Sequence, residues 1–147
     1  VTGITITNSI CFAPDKTCAY FADTPSQQIM RQPLDGQGWP KGQAEVFIDL
    51  RAQNLNPDGA VIDRYGNLWS AQWGASRVAC YNPSGELIKS VTFPAKQISC
   101  PAFGGLNMDV LLVTSAAVDA DKKDTSAGMT FTIDQEAIGL PEYCVEL

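Results

Sequence analysis

With 147 residues, 45% of them hydrophobic and 18% charged, the chain carries enough apolar content to bury a core, and general disorder is excluded. Ten Lys and Arg against sixteen Asp and Glu leave a net charge of −6, which argues against nucleic acid or an anionic membrane surface as a partner. There is no His, so Ser-His-Asp catalysis, Cys-His catalysis and His-based zinc sites are excluded within this chain, and no stretch approaches the roughly 20 apolar residues of a membrane helix.

The opening VTGITITN has neither a leading Met nor a signal peptide. It reads as the middle of a strand pair, so the expectation is that the true N-terminus lies upstream. Short apolar or alternating runs follow in order: ITITNSICF, TCAYFAD and QIMRQPL, then the hydrophilic Asp35–Gln43, which reads as a surface hairpin loop. AEVFIDL, GAVID, NLWSAQW, RVACYN, LIKSVTF, PAFGG and DVLLVTS continue the pattern. The charged Asp119–Ser126 lacks the Gly and terminal Glu of an EF-hand and reads as a solvated, mobile loop before the last run, MTFTID. Helical periodicity is nearly absent, so the chain is all-β.

The runs repeat. Shifted by 49, Ala19–Asp23 falls on Leu68–Gln72, and Gln28-Ile29-Met30 falls on Arg77-Val78-Ala79; Leu111–Ser115 takes the same column in a shorter third copy. A period of about 40–50 residues with four strands per unit is the signature of a β-propeller. The predicted architecture is about three four-stranded blades, near residues 8–50, 58–94 and 99–134, the last without a clear fourth strand. Three blades cannot close a ring, so another chain or a missing N-terminal half is expected to complete it.

Shifted by 50, with one gap in the following turn, Asn8-Ser9-Ile10-Cys11 falls on Asp58-Gly59-Ala60-Val61. Two oxygen-bearing side chains therefore start successive inner strands, which line the channel of a propeller, and such oxygens suit a hard cation. Both residues equally suit a turn-capping role, since N-S and P-D-G are common turn sequences. Asp23, in the A-D-T turn, is expected to bond backbone amides. Trp69 reads as blade core, and Trp73 as either a pocket wall or packing between blades. Gly104-Gly105 reads as a tight inner turn. Cys100 opens a blade near the channel, without a cationic group to activate it.

The five cysteines, Cys11, Cys18, Cys80, Cys100 and Cys144, are odd in number and show no C-x-x-C spacing. Cys11, Cys18 and Cys80 sit in apolar runs, so buried free thiols in a reducing compartment are expected.

The motifs TNSICFAPD, AYFADT, PDGAVIDxxGNLWSAxW, RVxxYxPxG and CPAFGG, in this order from Thr7 to about Pro141, resemble the gluconolactonase/regucalcin family. The resemblance implies the C-terminal half of a six-bladed β-propeller, with residues 1–147 as part of one domain and the N-terminal half absent. It implies one divalent cation (Ca, Zn, Mn or Mg) held partly by Asn8 and Asp58, with Asp58 also the general base of sugar lactone hydrolysis. The family's other two metal ligands, and the Arg and Asn that hold substrate, have no counterpart here. A cytoplasmic location is expected. A non-catalytic calcium-binding protein of the regucalcin type is the alternative.

Overall fold

Alternation of apolar and polar residues, interrupted every few positions by Gly, Pro, Asp or Asn, produces strands and almost nothing else. A computed structural model describes residues 2–134 and 137–141 of the chain. The first antiparallel sheet runs in the order β1 (Thr7–Phe12), β2 (Cys18–Asp23), β3 (Gln28–Pro33) and β4 (Glu45–Asp49). The second repeats it with β5 (Asn56–Ile62), β6 (Leu68–Trp73), β7 (Arg77–Tyr81) and β8 (Leu87–Thr92). The third has β9 (Ile98–Gly104), β10 (Val110–Ser115) and β11 (Thr130–Asp134), three strands among the described residues, as its sequence suggests. Single 3-10 turns at Thr24–Ser26 and Arg51–Gln53 are the only helical elements there, and neither is long enough to cross a membrane.

The sheets stack face to face as blades, each inner strand beside the next: β1 beside β5, and β5 beside β9. Two apolar layers result. Tyr20, Ile29 and Ile48 of the first blade pack on Ile62, Leu68 and Tyr81 of the second. On the other face, Trp69, Val78 and Cys80 pack on Ile98, Phe103, Leu111 and Val113 of the third. Period-two alternation sends Leu68 into one layer and Trp69 into the other. The middle sheet is therefore covered on both sides, and β6 is buried continuously from Leu68 to Gln72. The outer strand β8 is mostly exposed.

The turn from β5 to β6 is built around one carboxylate. Asp63 is fully buried. Its Oδ1 accepts the backbone N–H groups of Tyr65 and Asn67, each at 2.9 Å, and its Oδ2 accepts Asn67 Nδ2 at 2.8 Å and Trp69 Nε1 at 3.0 Å. Four donors satisfy a charge that would otherwise be costly to bury. They also fix the indole of Trp69, which meets Phe103 edge-on with ring centroids 6.0 Å apart. Asp63 additionally bridges to Gly139 of the trailing segment, where an added Cβ would lie 2.2 Å from Phe103.

The Asp35–Gln43 loop turns around Asp35, whose Oδ1 accepts the N–H groups of Gln37 and Trp39. Asp119–Ser126 is largely exposed and is braced by local hydrogen bonds: Asp121 Oδ1 accepts Lys123 N–H, and Asp124 accepts the N–H groups of Lys96 and Ser126. Of the cysteines, Cys11, Cys18, Cys80 and Cys100 are free. Only Cys80 is fully buried; Cys11 and Cys18 are partly buried, and Cys100 is exposed as a residue, although its Sγ packs against Gly59 of the second blade. Cys144 lies outside the described residues.

Asp63→Ala leaves four donors without their acceptor, the buried Trp69 Nε1 among them. It should cost at least about 3 kcal/mol in denaturant unfolding, whereas Asp63→Asn, which keeps one acceptor, should cost less.

Candidate functional site

Asn8 and Asp58 each follow an inner-strand residue that pairs near the mouth end of its ladder. Thr7 pairs with Asp23 and Pro57 pairs with Gln72, and Asp23 and Gln72 each precede a four-residue connection to the next strand. In the third blade Ser115 pairs with Ile98, so Ser99 takes the corresponding position. The three inner strands thus present an amide, a carboxylate and a hydroxyl in one row. Ser99 carries no distinctive motif of its own. Counting along the Leu111–Ser115 column finds it.

A β-bulge follows each of these starts. Ser9 and Ile10 face one residue of β2, and Asp58 and Gly59 face one residue of β6, so P-D-G lies in a bulged strand rather than in a turn. Ser9 adopts a left-handed conformation, φ 55°, and its buried hydroxyl donates to the Asp58 backbone carbonyl at 2.5 Å. Gly59 is required for packing: an added Cβ would lie 2.6 Å from Cys100 Sγ and 2.8 Å from the Ser99 carbonyl oxygen.

Thr24 sets the direction of the Asn8 amide. Its hydroxyl donates to the Pro57 carbonyl at 2.8 Å, so its oxygen is left to accept Asn8 Nδ2, also at 2.8 Å. The amide nitrogen is therefore turned toward Thr24, and Oδ1 is left open. The same amide reaches the Asp58 carboxyl. Burial raises the Asp58 pKa above the usual carboxylate value, while the Gly59 N–H and the Asn8 amide pull it back only in part.

Cys100 adjoins this carboxyl. Burial and then the negative charge of Asp58 push its thiol up, so it stands beside the site protonated and unreactive. Cys11, behind it, is pushed up to about 12 by burial and by Cys18 and Cys100. Asp23 Oδ1 accepts the backbone N–H groups of Thr5 and Ile6, at 3.1 and 2.8 Å.

As a cation site this donor set is chemically suitable but short. Asn8 and Asp58 offer two hard oxygens, fewer than the six to eight that Ca²⁺ takes. Among the described residues no group of three or more His, Cys, Asp or Glu gathers to hold a metal.

A family model described as SMP-30/Gluconolactonase/LRE-like region matches residues 1–117. An L-arabinolactonase of Azospirillum brasilense is 37% identical over 139 residues, which is 92% of this chain and 45% of that protein. A 6-deoxy-6-sulfogluconolactonase of Pseudomonas putida is 34% identical over 113 residues, 77% of this chain and 39% of its own length. Among solved structures, a protein described as a calcium-binding protein, regucalcin, from Agrobacterium tumefaciens superposes with a TM-score of 0.93 at 42% identity, over 98% of this chain and 50% of that one. The chain spans about half the length of the curated relatives it matches.

A raised carboxylate pKa means that the folded state favours the protonated form. The stability from that proton is complete below the usual carboxylate pKa and is lost as pH rises through the raised one. With divalent cations removed by chelator, Asp58→Asn should therefore melt a few degrees higher than wild type at pH 7. The advantage should shrink as pH falls toward about 4 and be gone below it, as thermal unfolding across pH will show.

Proposed function

Because the chain belongs to the SMP-30/gluconolactonase/LRE-like family, we propose that it carries part of a divalent-cation-dependent sugar lactone hydrolase, with Asn8 and Asp58 as cation ligands and Asp58 as general base. The observation that supports this most is the pairing of the open Asn8 Oδ1 with a half-buried carboxyl on the adjacent inner strand. Proteins named lactonases among the relatives point to the substrate class. The remaining ligands and the substrate-binding groups would come from the half of the propeller that this chain does not supply. A reducing compartment such as the cytoplasm suits the four free thiols.

When bound, Ca²⁺, Zn²⁺, Mn²⁺ or Mg²⁺ would polarise the lactone carbonyl and offset the negative charge that develops on it. The chain's own part is proton transfer. Asp58 takes a proton from the attacking water as its oxygen bonds to the carbonyl carbon. It returns that proton to the ring oxygen as the ring C–O bond breaks, leaving an open-chain aldonic acid. Asn8 orients the carboxyl through its amide. Thr24 holds that amide.

A second reading, a non-catalytic calcium-binding protein, draws on the description of the Agrobacterium structure as a calcium-binding protein. The same two ligands would serve it.

In the intact protein, lactone hydrolysis at saturating cation separates these roles. Asp58→Asn should lose at least about 10²-fold in kcat, whereas Asn8→Ala should be largely restored by excess cation. Full recovery of Asp58→Asn would leave Asp58 a ligand only. Calcium binding without turnover of any lactone by the wild type would select the second reading.

A further inference from the structure

A second cavity opens at the same end of the blades as Asn8 and Asp58, between the second and third sheets. It measures about 500 Å³ and is lined by Trp73, Lys96, Gln97 and the loop residues Asp119, Asp121 and Asp124. This volume is within the range of small-molecule sites. Its walls are fixed by hydrogen bonds rather than by side-chain packing alone. Ser76 N–H donates to the Lys96 carbonyl, Ala116 N–H to the Gln97 carbonyl, and Lys96 N–H to Asp124 Oδ2 at 2.8 Å. With its Oδ1 accepting Ser126 N–H, Asp124 is fully used as a brace.

The other polar groups of this cavity are open. Among the described residues the Trp73 indole N–H, the Lys96 ammonium and the Asp119 carboxylate have no protein partner, and Asp121 uses only Oδ1. Lys96 shares the cavity with Asp119 and Asp121, yet neither ion pair forms among the described residues. Gln97 Oε1 is buried beside them with no hydrogen bond at all. Donors and acceptors therefore stand across a gap that neither side closes. A cation is disfavoured, because Lys96 intrudes and no group of three carboxylates gathers. An anion is disfavoured by the carboxylates.

What fits is a neutral ligand whose hydroxyls donate and accept at once, with C–H groups to lie against an indole. The negative face of the ring attracts the weakly positive C–H groups of a sugar, and the polar groups around it select for hydroxyls. We infer that this cavity is a saccharide-binding subsite, with Trp73 as its platform and Asp119, Asp121 and Lys96 as its hydroxyl partners. The inference does not rest on hydrolase activity. The bound sugar is either the polyhydroxylated portion of a substrate or a separate saccharide.

The test is direct titration of the intact protein with methyl β-glucoside and with glucitol, neither of which has an ester to hydrolyse, following the Trp indole N–H signals by NMR. Trp73 should shift saturably, while Trp39 and Trp69 stay still. Trp73→Ala should abolish the response and Trp73→Phe should keep most of it. Asp119→Asn, on an exposed loop where folding is not at stake, should weaken binding by about tenfold, the loss of one charged hydrogen bond. Competition between glucitol and lactone, with a raised KM and unchanged kcat in Asp119→Asn, would identify the sugar as the substrate's own. Binding without competition would identify a separate saccharide. Absence of a saturable Trp73 shift with either probe, or a response that survives both Trp73→Ala and Asp119→Asn, overturns the inference.

Discussion

Two hydroxyls donated across a blade boundary hold the candidate site together. Ser9 of the first blade donates to the Asp58 carbonyl, and Thr24 donates to the Pro57 carbonyl. The bulge in β5 explains why those carbonyls are available. Two residues there face one of β6, so the ladder is interrupted at Pro57–Ala60 and its polar groups need partners elsewhere. The neighbouring blade supplies them. Placement of Asp58 is thus a property of the blade pair rather than of one strand. Gly59 adds a third constraint from the other side, because β9 approaches it too closely for any side chain.

The same dependence runs through the apolar layers. A blade has two faces, and a sheet in water can leave only one of them wet. The middle sheet meets both neighbours and is buried throughout β6. The flanking sheets have one covered face each, and Ile10 and Phe12 on β1 are exposed. Asp63 belongs to this logic. A carboxylate at the tight β5–β6 turn gathers the local N–H groups, and by reaching Trp69 it ties the turn to the second apolar layer.

How much of this was legible in the sequence depended on whether the signal was periodic. Strand runs and the column shared by Ala19, Leu68 and Leu111 are repeats, and repeats survive without coordinates. The correspondence of Asn8 with Asp58 was readable for the same reason, and strand pairing places them at equivalent positions. Ser99 stood in that column too, but a Ser before Cys attracts no motif. Asp63 was hidden because a D-x-x-G-N turn looks alike whether its carboxylate is wet or buried. The one-residue offset between the two bulges leaves no trace in composition. Trp73 was left open between pocket wall and blade packing, because only tertiary structure could bring it to the charged loop that completes the cavity.

The roles proposed for Asp58 pull its proton affinity in opposite directions, and its surroundings bear on the balance. A bound cation would stabilise the carboxylate and weaken it as a base. Burial does the reverse, and it outweighs the Gly59 N–H and Asn8 amide that favour the charged form. A more exposed Asp against the same cation would be held ionised and would accept a proton poorly. A fully buried one would resist the ionisation that ligation needs. Half-burial between Asn8 and Cys100 lies between these extremes. Cys100 remains a neutral wall, because burial, and after it the charge that makes Asp58 useful as a ligand, raises the proton affinity of the neighbouring thiol.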